Sequence, residues 1–102
     1  MYLVQVLLPL QTNNGQPIPQ STFQTVCSEL TDKFGGLTAY SRAPAEGLWQ
    51  ADFRPPVRDE IVLLEIMADE LNRGWWSSYR KTLEQRFEQE SIVVRAQEII
   101  SL

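Results

Sequence analysis

The chain has 102 residues, 43% of them hydrophobic and 22% charged, the profile of one folded globular domain over residues 1–102, which excludes disorder, collagen-like repeats and a coiled coil. Nine Lys and Arg against thirteen Asp and Glu give a net charge of -4 with the basic residues scattered, so no phosphate-tracking surface and no nucleic-acid partner are expected. There is no His, which removes imidazole bases, Ser-His and Cys-His nucleophile pairs, haem held by a proximal His and most zinc sites.

Tyr2 to Leu8 is apolar and partly β-branched, and Pro9 and the turn-forming TNNGQP close it, which predicts a strand and a loop. The apolar start MYLVQVLLPL is about ten residues long with no basic lead, too short to span a membrane or to read as a signal peptide. From Pro19 the period changes: Phe23, Val26, Cys27, Leu30 and Phe34 recur at helical spacing, and Gly35-Gly36 supplies the stop. Cys27 in that stripe reads as a small buried hydrophobe rather than a reactive thiol, and a single Cys forms no internal disulfide, so a cytoplasmic location is expected.

Leu37 to Arg42 alternates as a strand, APAEG bends the chain into the extended run LWQADF, and Arg54-Pro55-Pro56 closes that segment. Ile61 to Ala68 is the most apolar strand, with Asp69 placed to cap the helix that follows. Leu71, Trp75, Tyr79, Leu83 and Phe87 then lie on one face of a long helix, with Trp76 beside them, and Trp75-Trp76 read as core rather than as a ligand shelf. Ser91 to Gln97 is the last strand. Arg86 to Ser91 reads as a helix end whose polar side chains meet exposed carbonyls. The order predicts an α+β fold, a ferredoxin-like βαββαβ plait with two helices on one face of an antiparallel sheet.

Sorting each strand into its two faces leaves a bare face of unusual character. Leu3, Leu7, Ile61, Leu63, Met67 and Val93 are interrupted near mid-strand by Gln5, Glu65 and Arg95, and in the plait's usual strand order these three meet in one row. With Tyr40 and Arg42 on the neighbouring strand they form the candidate site, and Trp49 of LWQADF is expected to wall it. In the catalytic reading Glu65 is a buried base with a raised pKa, assisted by Tyr40, while Gln5, Arg42, Arg95 and Trp49 hold a ligand. In the structural reading, which takes precedence, Glu65, Gln5 and Arg95 satisfy one another in a seam. A face this apolar calls for a cover, and a second copy of the chain is the simplest one.

Gly35-Gly36 stands alone at a helix end, so no phosphate loop is present, and the Asp and Glu residues show no ligand spacing; neither cofactor nor metal is expected. The arrangement resembles the dimeric α+β-barrel superfamily. KFGGLTAYSRAPAEGLW (Lys33 to Trp49) and YRKTLEQRFEQESIVV (Tyr79 to Val94) are similar to a small bacterial family of uncharacterised proteins, whose signature falls here on Tyr79, Arg86-Phe87 and Gln89-Glu90-Ser91. Members of that family are often exported behind a leader, whereas this chain opens directly on its first strand. The resemblance implies a homodimer through the sheet face. A homodimeric binding or structural module is therefore the first expectation, and a cofactor-free enzyme on a small organic substrate the alternative.

Overall fold

Alternation along one eight-residue strand sets both layers of the protein. In a computed structural model that describes residues 1–41 and 61–102, strand β1 (Tyr2–Pro9) buries Val4, Val6 and Leu8 and leaves Leu3, Gln5 and Leu7 half-buried on its other side. Strand β3 (Ile61–Ala68) repeats the pattern, burying Leu64, Ile66 and Ala68. The two pair antiparallel with Val4 opposite Ile66 and Val6 opposite Leu64, so both buried sets fall on one face. Strands β2 (Thr38–Ser41) and β4 (Val93–Glu98) complete the order β2-β3-β1-β4, with every pairing antiparallel. With helices α1 (Gln20–Phe34) and α2 (Arg73–Arg86) as the crossovers, this is the ferredoxin-like βαββαβ plait. LWQADF, Arg42, Trp49 and the Arg54-Pro55-Pro56 closure lie outside the described residues.

Both helices lay their apolar stripes on the Val4–Val6–Leu8 face. Val26 and Leu30 of α1 and Trp76, Tyr79 and Leu83 of α2 join it in one core with Phe87 and Ile92. Each fully buried aliphatic or aromatic side chain contributes about 1.5–3 kcal/mol. Phe34 stacks on Trp76 with centroids 5.2 Å apart, and Phe23 meets Phe87 edge-on at 5.4 Å, so aromatic contacts tie α1 to α2 and to the residue that ends it. Cys27 is half-buried against this core rather than sealed inside it, and burial pushes its thiol up from the ordinary value.

The helix ends follow from local chemistry. Gly35 takes φ 85°, and its N–H donates to the Thr31 carbonyl, closing α1 in the left-handed conformation that glycine adopts without a Cβ clash. At the start of α2 the cap is Asn72 rather than Asp69: its Oδ1 accepts the Trp75 N–H at 3.0 Å. Asp69 directly follows β3, and the chain needs the intervening residues to turn from the strand into the helix before any N–H is free to be capped.

The C-terminal end of α2 carries polar turn architecture, as the Arg86 to Ser91 stretch suggests. The Gln89 N–H reaches the Glu84 carbonyl and the Glu88 N–H the Gln85 carbonyl, a Schellman closure. Gln89 Nε2 also donates to the Gln11 carbonyl at 2.7 Å, and Glu84 Oε2 accepts the Ile92 N–H at 3.0 Å, anchoring the entry to β4. At the left-handed position stands Glu88, with φ 50°, where glycine would be unstrained. Glu88→Gly is expected to raise the urea-unfolding free energy by about 0.5–1 kcal/mol, as relief of that strain exceeds the glycine's added unfolded-state entropy. An unchanged or lower midpoint would show that the strain at Glu88 is no larger than the entropy cost of the glycine.

Candidate functional site

The face turned away from the helices is ruled by register. Gln5 lies opposite Glu65 on one side and opposite Arg95 on the other, and Thr38 lies opposite Glu65 on the far strand. A single polar row thus crosses all four strands: Thr38, Glu65, Gln5, Arg95. Adjacent strands stand ~4.8 Å apart, so Glu65 and Arg95 are separated by about twice that and meet through Gln5 rather than directly. Gln5 Nε2 donates to Glu65 Oε2 at 2.8 Å, and Arg95 Nε donates to Gln5 Oε1 at 2.8 Å. The amide serves both charges because it carries an N–H donor and a carbonyl acceptor on one tip, side by side.

Apolar rows flank it. Tyr40, Leu63, Leu7 and Val93 form the row on one side, and Met67 and Leu3 belong to the other, where Leu3 also faces Gln97. Tyr40 therefore stands one row away from Glu65, two residues along β2 from Thr38, the side chain that does face the carboxylate. Met67 is 59% exposed, Val93 49% and Tyr40 46%, large apolar surface left in solvent in the single chain. Glu65 is half-buried, and among the described residues no charged side chain is fully buried, so the sealed carboxylate of the catalytic reading is absent from the single chain. One of its oxygens is held by Gln5; the row as it stands can receive cationic or hydrogen-bonding groups at Glu65 and anionic ones at Arg95.

Two clefts open at the margins of this face. One, of about 460 Å³, runs between α2 and β4 past Arg73, Trp76 and Arg80; the other, of about 590 Å³, lies at the end of β1 by Leu10, Gln11 and Ile92. Arg95 borders the first and Leu7, Ile61 and Val93 the second, but neither is lined by Glu65 or Gln5. Among the described residues no group of three or more Cys, Asp or Glu side chains is placed to hold a metal ion. No helix among them is long and apolar enough to cross a membrane.

A second polar cluster sits on the helix layer; the sequence places Tyr79 and Arg86 in the family signature but does not join them to Glu29. Arg86 of α2 forms a two-pronged ion pair with Glu29 of α1, Nη1 to Oε1 at 2.5 Å and Nη2 to Oε2 at 3.2 Å, and the Tyr79 hydroxyl donates to the same Oε1 at 2.9 Å. The Arg86 hydrogen bonds hold Glu29 below the usual carboxylate range against a smaller opposing effect of burial. Burial first, and the Glu29 contact second, push the Tyr79 phenol up. Lys33 Nζ lies 4.6 Å above the Trp75 ring beside this cluster. Glu29 and Arg86 lie 57 residues apart, so no local spacing announces the pair.

The fold has a solved relative. The chain is similar to a phage SAM lyase in complex with S-methyl-5'-thioadenosine, with a TM-score of 0.55 and 16% identity over 95% of this chain and 80% of that one. At that identity the likeness speaks for the fold alone. No protein-family model and no curated protein matches the chain.

The Glu29 cluster makes a pH-dependent contribution with a definite sign. A carboxylate whose folded pKa is depressed stabilises the fold above its unfolded pKa, and the contribution is lost as pH falls through the folded value. Glu29 is largely exposed, so solvent screening limits the pair to about 1 kcal/mol. Arg86→Ala is expected to cost about that much in urea unfolding at about pH 7, and the difference from the unaltered chain is expected to shrink by about pH 3. A gap that persists in acid would assign the loss to packing of the arginine stem.

Proposed function

We propose that this chain is a small binding module that works as a homodimer, its open sheet face packed against that of a second copy with Gln5, Glu65 and Arg95 in the seam. The observation that carries the reading is the composition of that face. Half-buried Leu3, Leu7, Ile61 and Leu63 and exposed Met67, Val93 and Tyr40 surround a polar row in which Gln5 hydrogen-bonds both Glu65 and Arg95. Apolar surface of this kind gains by leaving water, and a satisfied polar row enters a seam at far lower cost than lone charges. Both ends of the row also offer charge to a facing surface, and a face with one acid and one base is its own complement. The resemblance of the two motifs to bacterial proteins of dimeric α+β-barrel type points the same way, and a cytoplasmic home belongs to this reading. A ligand, where one binds, is a small molecule enclosed between the two sheets.

A second reading, a cofactor-free enzyme, is equally compatible with a fold shared with a lyase in complex with a small molecule. There Glu65 is the proton acceptor, Arg95 and Arg42 hold an anionic group, and Tyr40 assists. Glu65→Gln separates the two, abolishing turnover in an enzyme and altering only self-association in a module.

Sedimentation at micromolar concentration is expected to give a particle of twice the 11.7 kDa chain mass. Met67→Lys, which sets an ammonium in the seam without a partner, is expected to weaken self-association by at least about tenfold, with an unchanged far-UV spectrum. A chain that sediments as a monomer at that concentration refutes the module in this form.

A further inference from the structure

We infer that the dimer axis runs along β1 through Gln5, so that the partner subunit's Arg95 completes the site at Glu65. This rests on the reading of the open face as a dimer seam. The row reads acid, amide, base across β3, β1 and β4 at a single register, and it is therefore antisymmetric about Gln5. Two sheets packed face to face about a twofold with their strands aligned have two choices of axis within the plane between them. An axis along the row turns each strand onto itself, setting Glu65 against the partner's Glu65 and Arg95 against the partner's Arg95. An axis along β1 exchanges β3 with β4, setting Glu65 against the partner's Arg95 twice over.

The apolar rows do not make this choice. With the axis along β1, Leu7 meets the partner's Leu7, Leu3 meets the partner's Leu3, and Leu63 meets the partner's Val93. With the axis along the row, Leu7 meets the partner's Leu3 and Leu63 meets the partner's Met67. Both arrangements bury aliphatic side chains against aliphatic side chains. Charge decides between them, because like charges facing one another across a desolvated seam oppose association and unlike charges favour it. Gln5 occupies Oε2 of Glu65 and Nε of Arg95, and among the described residues Oε1 of Glu65 and both Nη groups of Arg95 make no side-chain hydrogen bond. Sheets packed face to face lie ~10 Å apart at a tilt of about 30°, so the axis bisects the two β1 directions and side chains from each layer reach the midplane. Each dimer then holds one row-on-row seam, acid, amide and base facing the reversed set, with two symmetry-related pairs of Glu65 and the partner's Arg95 in it.

The test is a charge exchange read by sedimentation equilibrium. Glu65→Arg and Arg95→Glu, made singly, turn both ends of the row to one sign, and each is expected to raise the dimer dissociation constant at least about tenfold. The double variant reverses the row but keeps it antisymmetric, and Gln5 serves the reversed neighbours by turning its amide over; its dissociation constant is expected to return to within about threefold of the original. Far-UV circular dichroism checks the fold of each variant, and the neutral pair Glu65→Gln and Arg95→Gln gives the same reading at smaller amplitude should a reversed charge unfold the chain. Single variants that dimerise like the unaltered chain overturn the axis, as does a double variant no better than the singles; in both cases the dimer itself stands. An unaltered chain that is monomeric refutes the seam and the axis together.

Discussion

The strict two-residue period of a strand is the constraint on which this structure depends. Along β1 it sends Val4, Val6 and Leu8 under the helices and Leu3, Gln5 and Leu7 to the opposite face, and pairing with β3 and β4 extends both sets across the sheet. A one-residue slip would bury Gln5 and Glu65 beneath α1 and α2 and expose Val4 and Val6, so the core and the polar row specify the register together. The row is cheap to hold in place because it adds no strain: three strands bring the acid, amide and base to one level, and 2.8 Å hydrogen bonds close both gaps.

Gln5 has a role no apolar residue or simple charge can take. A carboxylate and a guanidinium two strands apart are too distant for an ion pair, and each would stand between the flanking apolar rows without compensation. An amide between them donates to one and accepts from the other, which spreads the compensation over three strands. A leucine at this position would leave two uncompensated charges on the face; a lysine or glutamate would satisfy one neighbour and repel the other.

Most of this was legible because it rests on period. The six elements, their order, the inward sets and the row of Gln5, Glu65 and Arg95 follow from alternation and from the strand order of a plait, and β3 from Ile61 to Ala68 is bounded where its apolar run is bounded. What escaped depends on distances that sequence does not encode. Asp69 and Asn72 are both good caps, and only the length of turn between β3 and α2 selects the second. Tyr40 and Thr38 share a face, and only the offset of β2 against β3 sets Thr38 rather than Tyr40 beside Glu65. The Glu29–Arg86–Tyr79 cluster joins two helices whose facing angle no single-strand or single-helix pattern reveals. Arg42 and Trp49 lie outside the described residues.

The two polar clusters differ in what they ask of their surroundings. Glu29, Arg86 and Tyr79 form a closed set: the guanidinium meets the carboxylate directly, the phenol adds a third contact, and the charges cancel within one chain while solvent takes the rest. Its work is complete as a clasp between α1 and α2. The row on the sheet is joined through Gln5 but carries a negative charge at Glu65 and a positive one at Arg95, each flanked by apolar rows and, among the described residues, each with atoms that make no other side-chain hydrogen bond. A dipolar row in a greasy frame is poorly served by water, which solvates the ends only by also wetting the frame. A surface with the same frame and the opposite order of charges satisfies both demands at once, and the surface with that property nearest to hand is the same face turned about β1.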